Sequence, residues 1–185
     1  MPKVYIFLAN GFEEIEGLTV VDLLRRVDIE ISMVSITGSL EVIGSHQITV
    51  KADVLFEEAD FSDATMLILP GGMPGTKNLS EHQGLDKLLK ASYKEGKTLA
   101  AICAAPSVFG TKGLLDGKRV TCYPGYEELL MGAKVVNAAV VVDDNIITSK
   151  GMGTSIDFSL AIIKYLKGEE PAAKIAEVIQ YQYFQ

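Results

Sequence analysis

The sequence predicts a doubly wound α/β fold, in which helices cover both faces of a mostly parallel sheet. Continuous apolar runs such as Val4–Leu8 and Met66–Leu69 are typical of strands buried on both faces. Segments with helical periodicity separate these runs, so strands alternate with helices along the chain. No linker, repeat or low-complexity segment interrupts this alternation. We therefore expect a single domain over residues 1–185.

The N-terminal part of the chain predicts a β-α-β unit followed by a hairpin. Asn10-Gly11 ends the first strand, and the segment 15–26 has apolar residues at helical spacing with two arginines in its last turn. Residues 29–34 return to a strand pattern. The short polar breaks between residues 40 and 55 predict a small hairpin with Gly44 at its turn.

The rest of the chain continues the alternation. The expected elements are a strand at Met66–Leu69, a helix over residues 85–93, a strand at residues 98–102, a helix with Pro106 in its first turn, a strand at Val120-Thr121, a short helix at residues 127–130, a hairpin over residues 140–149 that turns at residues 143–145, a helix over residues 155–166 and a last helix from Pro171.

Composition limits the classes of function. The chain has 17 basic and 24 acidic residues, a net charge of −7, and its acidic residues are spread along the sequence. An acidic surface repels phosphate backbones, so nucleic-acid binding by a basic face is not expected. No apolar run approaches the roughly 18 residues of a membrane span, and the N-terminus lacks a signal-peptide pattern. We expect a cytoplasmic protein without a membrane partner.

Cysteine and histidine are scarce. The cysteines are Cys103 and Cys122, and the histidines are His46 and His82. Two cysteines do not make a disulfide scaffold in a chain of this size, and these four residues lack the paired spacing of a structural zinc site. The sequence therefore predicts neither a metal nor a cofactor.

Cys103 is the strongest candidate for a reactive residue. It follows a predicted strand and precedes a predicted helix, with the small neighbours Ala101, Ala104 and Ala105 that a strained nucleophile elbow requires. Free N–H groups at the start of the helix would favour the thiolate. The alternative is an inert cysteine in an alanine-rich turn.

Two further segments meet Cys103 at the carboxyl ends of the strands, where doubly wound sheets place their sites. Pro70-Gly71-Gly72 offers unobstructed backbone N–H groups for an oxyanion hole, or else an ordinary turn. Glu13, Glu14 and Glu16 start a helix, and at least one of them is expected to be solvated there. A carboxyl group that points inward would have a raised pKa, and could donate a hydrogen bond to the sulfur.

Four motifs together resemble the ThiJ/PfpI superfamily, and most of all its branch of Parkinson-associated and bacterial YajL-like proteins. They are Phe12–Glu16, Leu69–Gly72, Ala100–Pro106 and Ser149–Ser155. The resemblance implies a flavodoxin-like fold and a homodimer. It further implies an oxidisable nucleophile at Cys103, a protonated partner at Glu16, anion-binding amides at Gly72 and Ala104, and an interface position for Arg26.

The chain departs from the superfamily at one important position. Several members place a histidine beside the cysteine, just before a proline, and Tyr123 stands here before Pro124. A tyrosine with its ordinary pKa near 10 is not a base at neutral pH, so a cysteine peptidase or amidase is disfavoured. Tyr123 can still donate a hydrogen bond or line the pocket. We expect His46 to lie near the partner subunit's cysteine, or else to be a solvated hairpin residue.

Two functions remain open. The first is a cofactor-independent enzyme of the glyoxalase or deglycase type, in which Cys103 attacks small reactive carbonyls or glycated adducts and Glu16 moves protons. The second is a redox sensor or chaperone that uses an oxidisable Cys103 with little or no catalysis.

Overall fold

The computed structural model describes residues 2–182, and a seven-stranded sheet forms its centre. Two small strand pairs lie outside this sheet. In chain order, all of these strands are β1 (Lys3–Leu8), β2 (Glu30–Ser35), β3 (Glu41–Ile43), β4 (Thr49–Lys51), β5 (Val54–Leu55), β6 (Met66–Leu69), β7 (Thr98–Ile102), β8 (Arg119–Val120), β9 (Lys134–Val135), β10 (Val140–Asp143) and β11 (Ile146–Ser149).

The strand order in the central sheet is β10-β11-β7-β6-β1-β2-β5, and β10 alone runs antiparallel to its neighbour there. Chain order reverses between β1 and β6, which are parallel neighbours. This is the flavodoxin-like, doubly wound arrangement expected from the sequence. Ligands bind such sheets beyond the carboxyl ends of the strands at the reversal point. The loops that follow β1, β6 and β7 therefore meet at one edge.

Helices cover both faces of the sheet. They are α1 (Glu14–Arg26), α2 (Gly75–Glu81), α3 (Gln83–Lys94), α4 (Pro106–Gly110), α5 (Ser155–Lys167) and α6 (Glu169–Val178). One apolar cluster joins α1, α5 and α6 to the sheet, and another joins α3 and α4 to its opposite face. Strands β6 and β7 are buried along their whole length, as their continuous apolar sequences predicted.

The predicted hairpins are present, but β5, at the end of the first hairpin segment, joins the central sheet, and helix α2 and strand β9 were not predicted. Strands β3 and β4 pair antiparallel around the turn at Gly44, and β10 and β11 pair around Asp144. Helix α2 begins within the glycine- and proline-rich segment that the sequence presented only as a turn. Strands β8 and β9 form a small separate parallel pair. His82 accepts a hydrogen bond from the Leu85 amide and caps α3.

Within residues 2–182, no helix is both long and apolar enough to cross a bilayer. Tyr181 docks on the fold, because its hydroxyl donates to Asp157 at 2.8 Å.

Candidate active site

Cys103 lies on a sharp turn between β7 and α4. Its φ angle of +64° is in the left-handed region that side chains other than glycine rarely adopt. Two backbone hydrogen bonds hold the turn: the Cys103 amide donates to the Ser149 carbonyl at 3.0 Å, and its carbonyl accepts from the Tyr123 amide at 2.8 Å. The small neighbours Ala104 and Ala105 are buried behind it. The strained position keeps the sulfur partly accessible, as the elbow interpretation predicted.

Glu16 is the carboxyl group that meets Cys103. It sits in the first turn of α1 and is only 1% exposed. The amide of Gly71 donates to its Oε2 atom at 2.9 Å. Its other oxygen, Oε1, is buried without a hydrogen-bond partner in the part of the chain that the structure describes. Burial raises the pKa of Glu16 to about 7, although its interactions with Cys103 and the Gly71 amide favour the ionised form.

The Cys103 thiol is held in its protonated form by its surroundings. Burial and the neighbouring Glu16 carboxylate raise the pKa of the thiol to about 12, although the Ala104 and Gly72 amides lower it. The amides therefore favour the thiolate, as predicted, but burial and the Glu16 charge outweigh them. Helix α4 has only five residues and contributes little dipole. When Glu16 is protonated, its charge no longer opposes the thiolate, so the titrations of the two groups are coupled.

The three predicted backbone donors divide into two roles. The amides of Gly72 and Ala104 interact with the sulfur, as expected. The amide of Gly71 is committed to Glu16 and is not available for an oxyanion, so that part of the prediction is wrong. A side chain at Gly71 would place its Cβ 2.6 Å from Glu16 Oε2 and 2.7 Å from the Cβ of Cys103. Glycine is required there because the two catalytic candidates converge on it.

The three glutamates at the start of α1 are less exposed than expected. Glu14 is 4% exposed and Glu13 is half-buried, because the loop after β3 covers them. Burial alone would raise the pKa of Glu14, but hydrogen bonds from the His46 side chain and from backbone amides lower it to about 2. The pKa values of Glu14 and Glu16, two positions apart, are thus shifted in opposite directions, because Glu14 is hydrogen-bonded and Glu16 lies in an apolar environment.

His46 is bound to Glu14 and not to Cys103 of its own chain. Its Nδ1 atom lies 3.0 Å from Glu14 Oε2, its amide donates to Oε1 at 2.7 Å, and most of its ring is exposed. The Glu14 hydrogen bond and the charges of Glu13 and Glu14 raise the pKa of His46. Ligand atoms of Glu13, Glu14 and His46 lie within 4.8 Å of one another, but these contacts already form an ion-pair network. The expected approach of His46 to a partner's cysteine stays a prediction.

Of the other accessory candidates, Tyr123 contacts Cys103, whereas Arg26 lies at the far end of α1. Tyr123 reaches Cys103 through its backbone amide, and its half-exposed ring lies against Gly151. Arg26 ends α1 and pairs with Asp22, ten residues along the helix from Glu16 and hence about 15 Å away along its axis. It is not part of the Cys103 site of its own chain, and its expected position at a subunit interface stays a prediction.

Cys122 is a bystander. It is 4% exposed and packs in the apolar cluster on the face of the sheet opposite to that of Cys103. Burial, with a contribution from Glu127, raises the pKa of its thiol to about 11. The structure therefore leaves Cys103 as the accessible cysteine of the pair.

Comparison with known proteins identifies the family. The model of the DJ-1/PfpI family matches residues 2–165. The chain is 38% identical over 176 residues to protein DJ-1 homolog B of Arabidopsis thaliana, which covers 94% of this chain but only 40% of that relative. It is 34% identical over 177 residues to the Parkinson disease protein 7 homolog of Danio rerio, covering 94% of each chain. A deglycase of Pyrococcus abyssi is 31% identical over 167 residues, covering 89% of this chain and 99% of its own.

Solved structures agree with the sequence relatives. Toxoplasma gondii DJ-1, in an oxidized form, superposes with a TM-score of 0.95 at 34% identity and covers 99% of this chain and 100% of its own. The chain spans less than half the length of the Arabidopsis relatives. Family model, relatives and fold agree, and the chain belongs to the DJ-1/PfpI family.

Proposed function

We propose that the protein is a cofactor-independent enzyme that converts 2-oxoaldehydes, or their adducts with thiols and amines, to hydroxy acids. The observation that carries the proposal is the pairing of a buried Glu16, with a pKa of about 7, with a thiol on a strained turn. A general acid or base is most effective when its pKa is near the working pH. The deglycase name of one relative supports the same chemistry.

The reaction can be written with all atoms balanced. The Cys103 sulfur bonds to the aldehyde carbon while its proton passes to Glu16, which returns it to the aldehyde oxygen and so gives a hemithioacetal. Glu16 then takes the proton of this carbon and delivers it to the neighbouring carbon through an enediol, while the hydroxyl proton moves to the former ketone oxygen, which gives the thioester of a 2-hydroxy acid. Water hydrolyses the thioester, releasing the hydroxy acid and the thiol. The Gly72 and Ala104 amides are the donors for the developing oxyanion.

Turnover of methylglyoxal tests the proposal. We expect the wild type to form lactate, and Cys103→Ser to lose at least about 1,000-fold in kcat/KM because the hydroxyl is a far weaker nucleophile. Cys122→Ala is the matched control, since it removes the other thiol from a buried site away from Glu16, and it should keep wild-type turnover. Absence of lactate formation by the wild type would refute the proposal.

Oxidation sensing is the second candidate, favoured by one observation. The buried Oε1 atom of Glu16 has no hydrogen-bond partner among residues 2–182 and, when protonated, could donate to a sulfinate on Cys103. Two molecules of peroxide would each add one oxygen atom to the sulfur, and each would leave as water. Selective sulfinate formation at Cys103 under mild peroxide, in a protein that does not form lactate, would favour the sensor or chaperone role.

We also propose a homodimer that works on small uncharged carbonyl compounds in a reducing compartment such as the cytoplasm. Ile15 and Ile48 are about half exposed and line one cavity together with Arg26. An exposed apolar surface of this kind is typical of an interface. This supports the interface position expected for Arg26.

A further inference from the structure

A cavity of about 210 Å³ lies beside the Cys103 site, between α2 and α4. We call it the side cavity and define it by Met73, Thr76, Ser107, Thr111, Tyr126 and Leu129. The proposed reaction uses none of these side chains.

Both walls of the side cavity adjoin the residues whose amides face the sulfur. Met73 directly follows Gly72, and the Thr76 amide donates to the Gly72 carbonyl at 2.9 Å. On the other wall, the Ser107 hydroxyl donates to the Ala104 carbonyl at 2.6 Å. A carbonyl compound held by the Gly72 and Ala104 amides would therefore lie next to residues that form the walls of the side cavity.

The lining of the side cavity is suited to an uncharged group. Met73 and Leu129 are 51% and 43% exposed, so each presents apolar surface that a ligand can cover. The Ser107 hydroxyl is used by Ala104, and the Thr111 hydroxyl is used by the Ser107 carbonyl at 2.9 Å.

The charged residues that line the side cavity, Lys77 and Glu81, are paired with each other. They lie 3.9 Å apart on successive turns of α2. Near the sulfur, the Glu16 carboxylate opposes an anionic ligand whenever it is ionised. An uncharged substituent is therefore the group that this lining accepts.

The volume suits a group larger than methyl. An apolar cavity of about 150 Å³ is sufficient to bind benzene, and the side cavity exceeds this volume. We infer that the side cavity binds an uncharged aryl or branched alkyl substituent of the substrate. The Cys103 site then prefers bulky apolar 2-oxoaldehydes to methylglyoxal. The substrate preference rests on the proposed function.

Alkylation of Cys103 tests the side cavity without turnover. The probes are 2-bromoacetophenone and bromoacetone, which carry a phenyl and a methyl group on the same reactive ketone; the sulfur bonds to the methylene carbon and bromide leaves. With rates normalised to glutathione, we expect the wild type to favour the phenyl probe by about 5- to 10-fold, as for modest burial of a few apolar carbons. Met73→Ser and Leu129→Ser should each reduce this ratio at least about twofold.

Val178→Ser is the control for loss of exposed apolar surface. Val178 is 60% exposed and lies in a cavity beside Arg26, at the opposite end of α1 from Glu16, so this substitution should leave the ratio unchanged. A wild-type ratio near one, or a ratio that neither Met73→Ser nor Leu129→Ser lowers, would overturn the inference. Lactate and mandelate formation from methylglyoxal and phenylglyoxal separately decides the proposed function, since the haloketone ratio does not depend on turnover.

Discussion

Glu16→Gln is expected to stabilise the protein above neutral pH while it removes most of the activity. The pKa of Glu16 rises from 4.5 to about 7 on folding. Between these values the unfolded chain has lost the proton that the native state keeps, so the free energy of unfolding falls as pH rises. Above pH 7 the native state carries the whole penalty, about 3 kcal/mol. An uncharged glutamine does not incur it, and its amide oxygen can still accept from Gly71.

The activity of the same variant should change in the opposite direction. Glutamine cannot accept the thiol proton or carry a proton between carbons, and loss of a general acid–base group costs about 100-fold or more in kcat. Urea unfolding of both proteins at about pH 4 and about pH 8, with lactate formation at the higher pH, measures both effects. Equal stability of the two proteins at the higher pH would show that burial of Glu16 costs nothing.

Gly71→Ala is expected to move Glu16 and Cys103 apart. The new methyl group would lie 2.6 Å from Glu16 Oε2 and 2.7 Å from the Cβ of Cys103, so at least one side chain must move. A displacement of about 1 Å can cost about 100-fold in rate, and overpacking of this kind costs about 1–3 kcal/mol of stability. Steady-state kinetics with thermal or urea unfolding checks both values.

Gly153→Ala is the matched control for this substitution. It makes the same chemical change in the loop after β11, where a Cβ would meet no atom within 4 Å. It should leave activity and stability close to those of the wild type. If Gly71→Ala retains activity within about twofold of the wild type, the close approach of Glu16 and Cys103 is not needed for the reaction.

The sequence predicted the sheet well because each central strand depends on its own residues. Exposure of an apolar run such as Met66–Leu69 to water is unfavourable, so its burial could be predicted from its own residues. The turn at Cys103 was equally visible, since small residues must flank a strained junction. Helix α2 was missed because its first turn follows glycine and proline, which signal a turn before they signal a helix.

The roles of individual polar groups depended on contacts that are distant in the chain. Three glutamates at the start of α1 looked alike, and the loop at His46, more than 30 residues away, decides that Glu14 is ionised. The Gly71 amide could not be assigned to Glu16, 55 positions away, from the local pattern. The effect of two backbone amides on the pKa of Cys103 could be predicted, but the local pattern does not show that burial and the Glu16 charge outweigh it.

The central claim is that burial raises the pKa of Glu16 to about 7, so that near neutral pH it can both accept and return the Cys103 proton. Infrared difference spectra between the wild type and Glu16→Gln, recorded across a pH titration, observe the carboxyl group itself. We predict a protonated-carboxyl band that is present in mildly acidic solution and disappears with a midpoint at about 7. Loss of the band at the ordinary glutamate pKa, near 4.3, would contradict the claim.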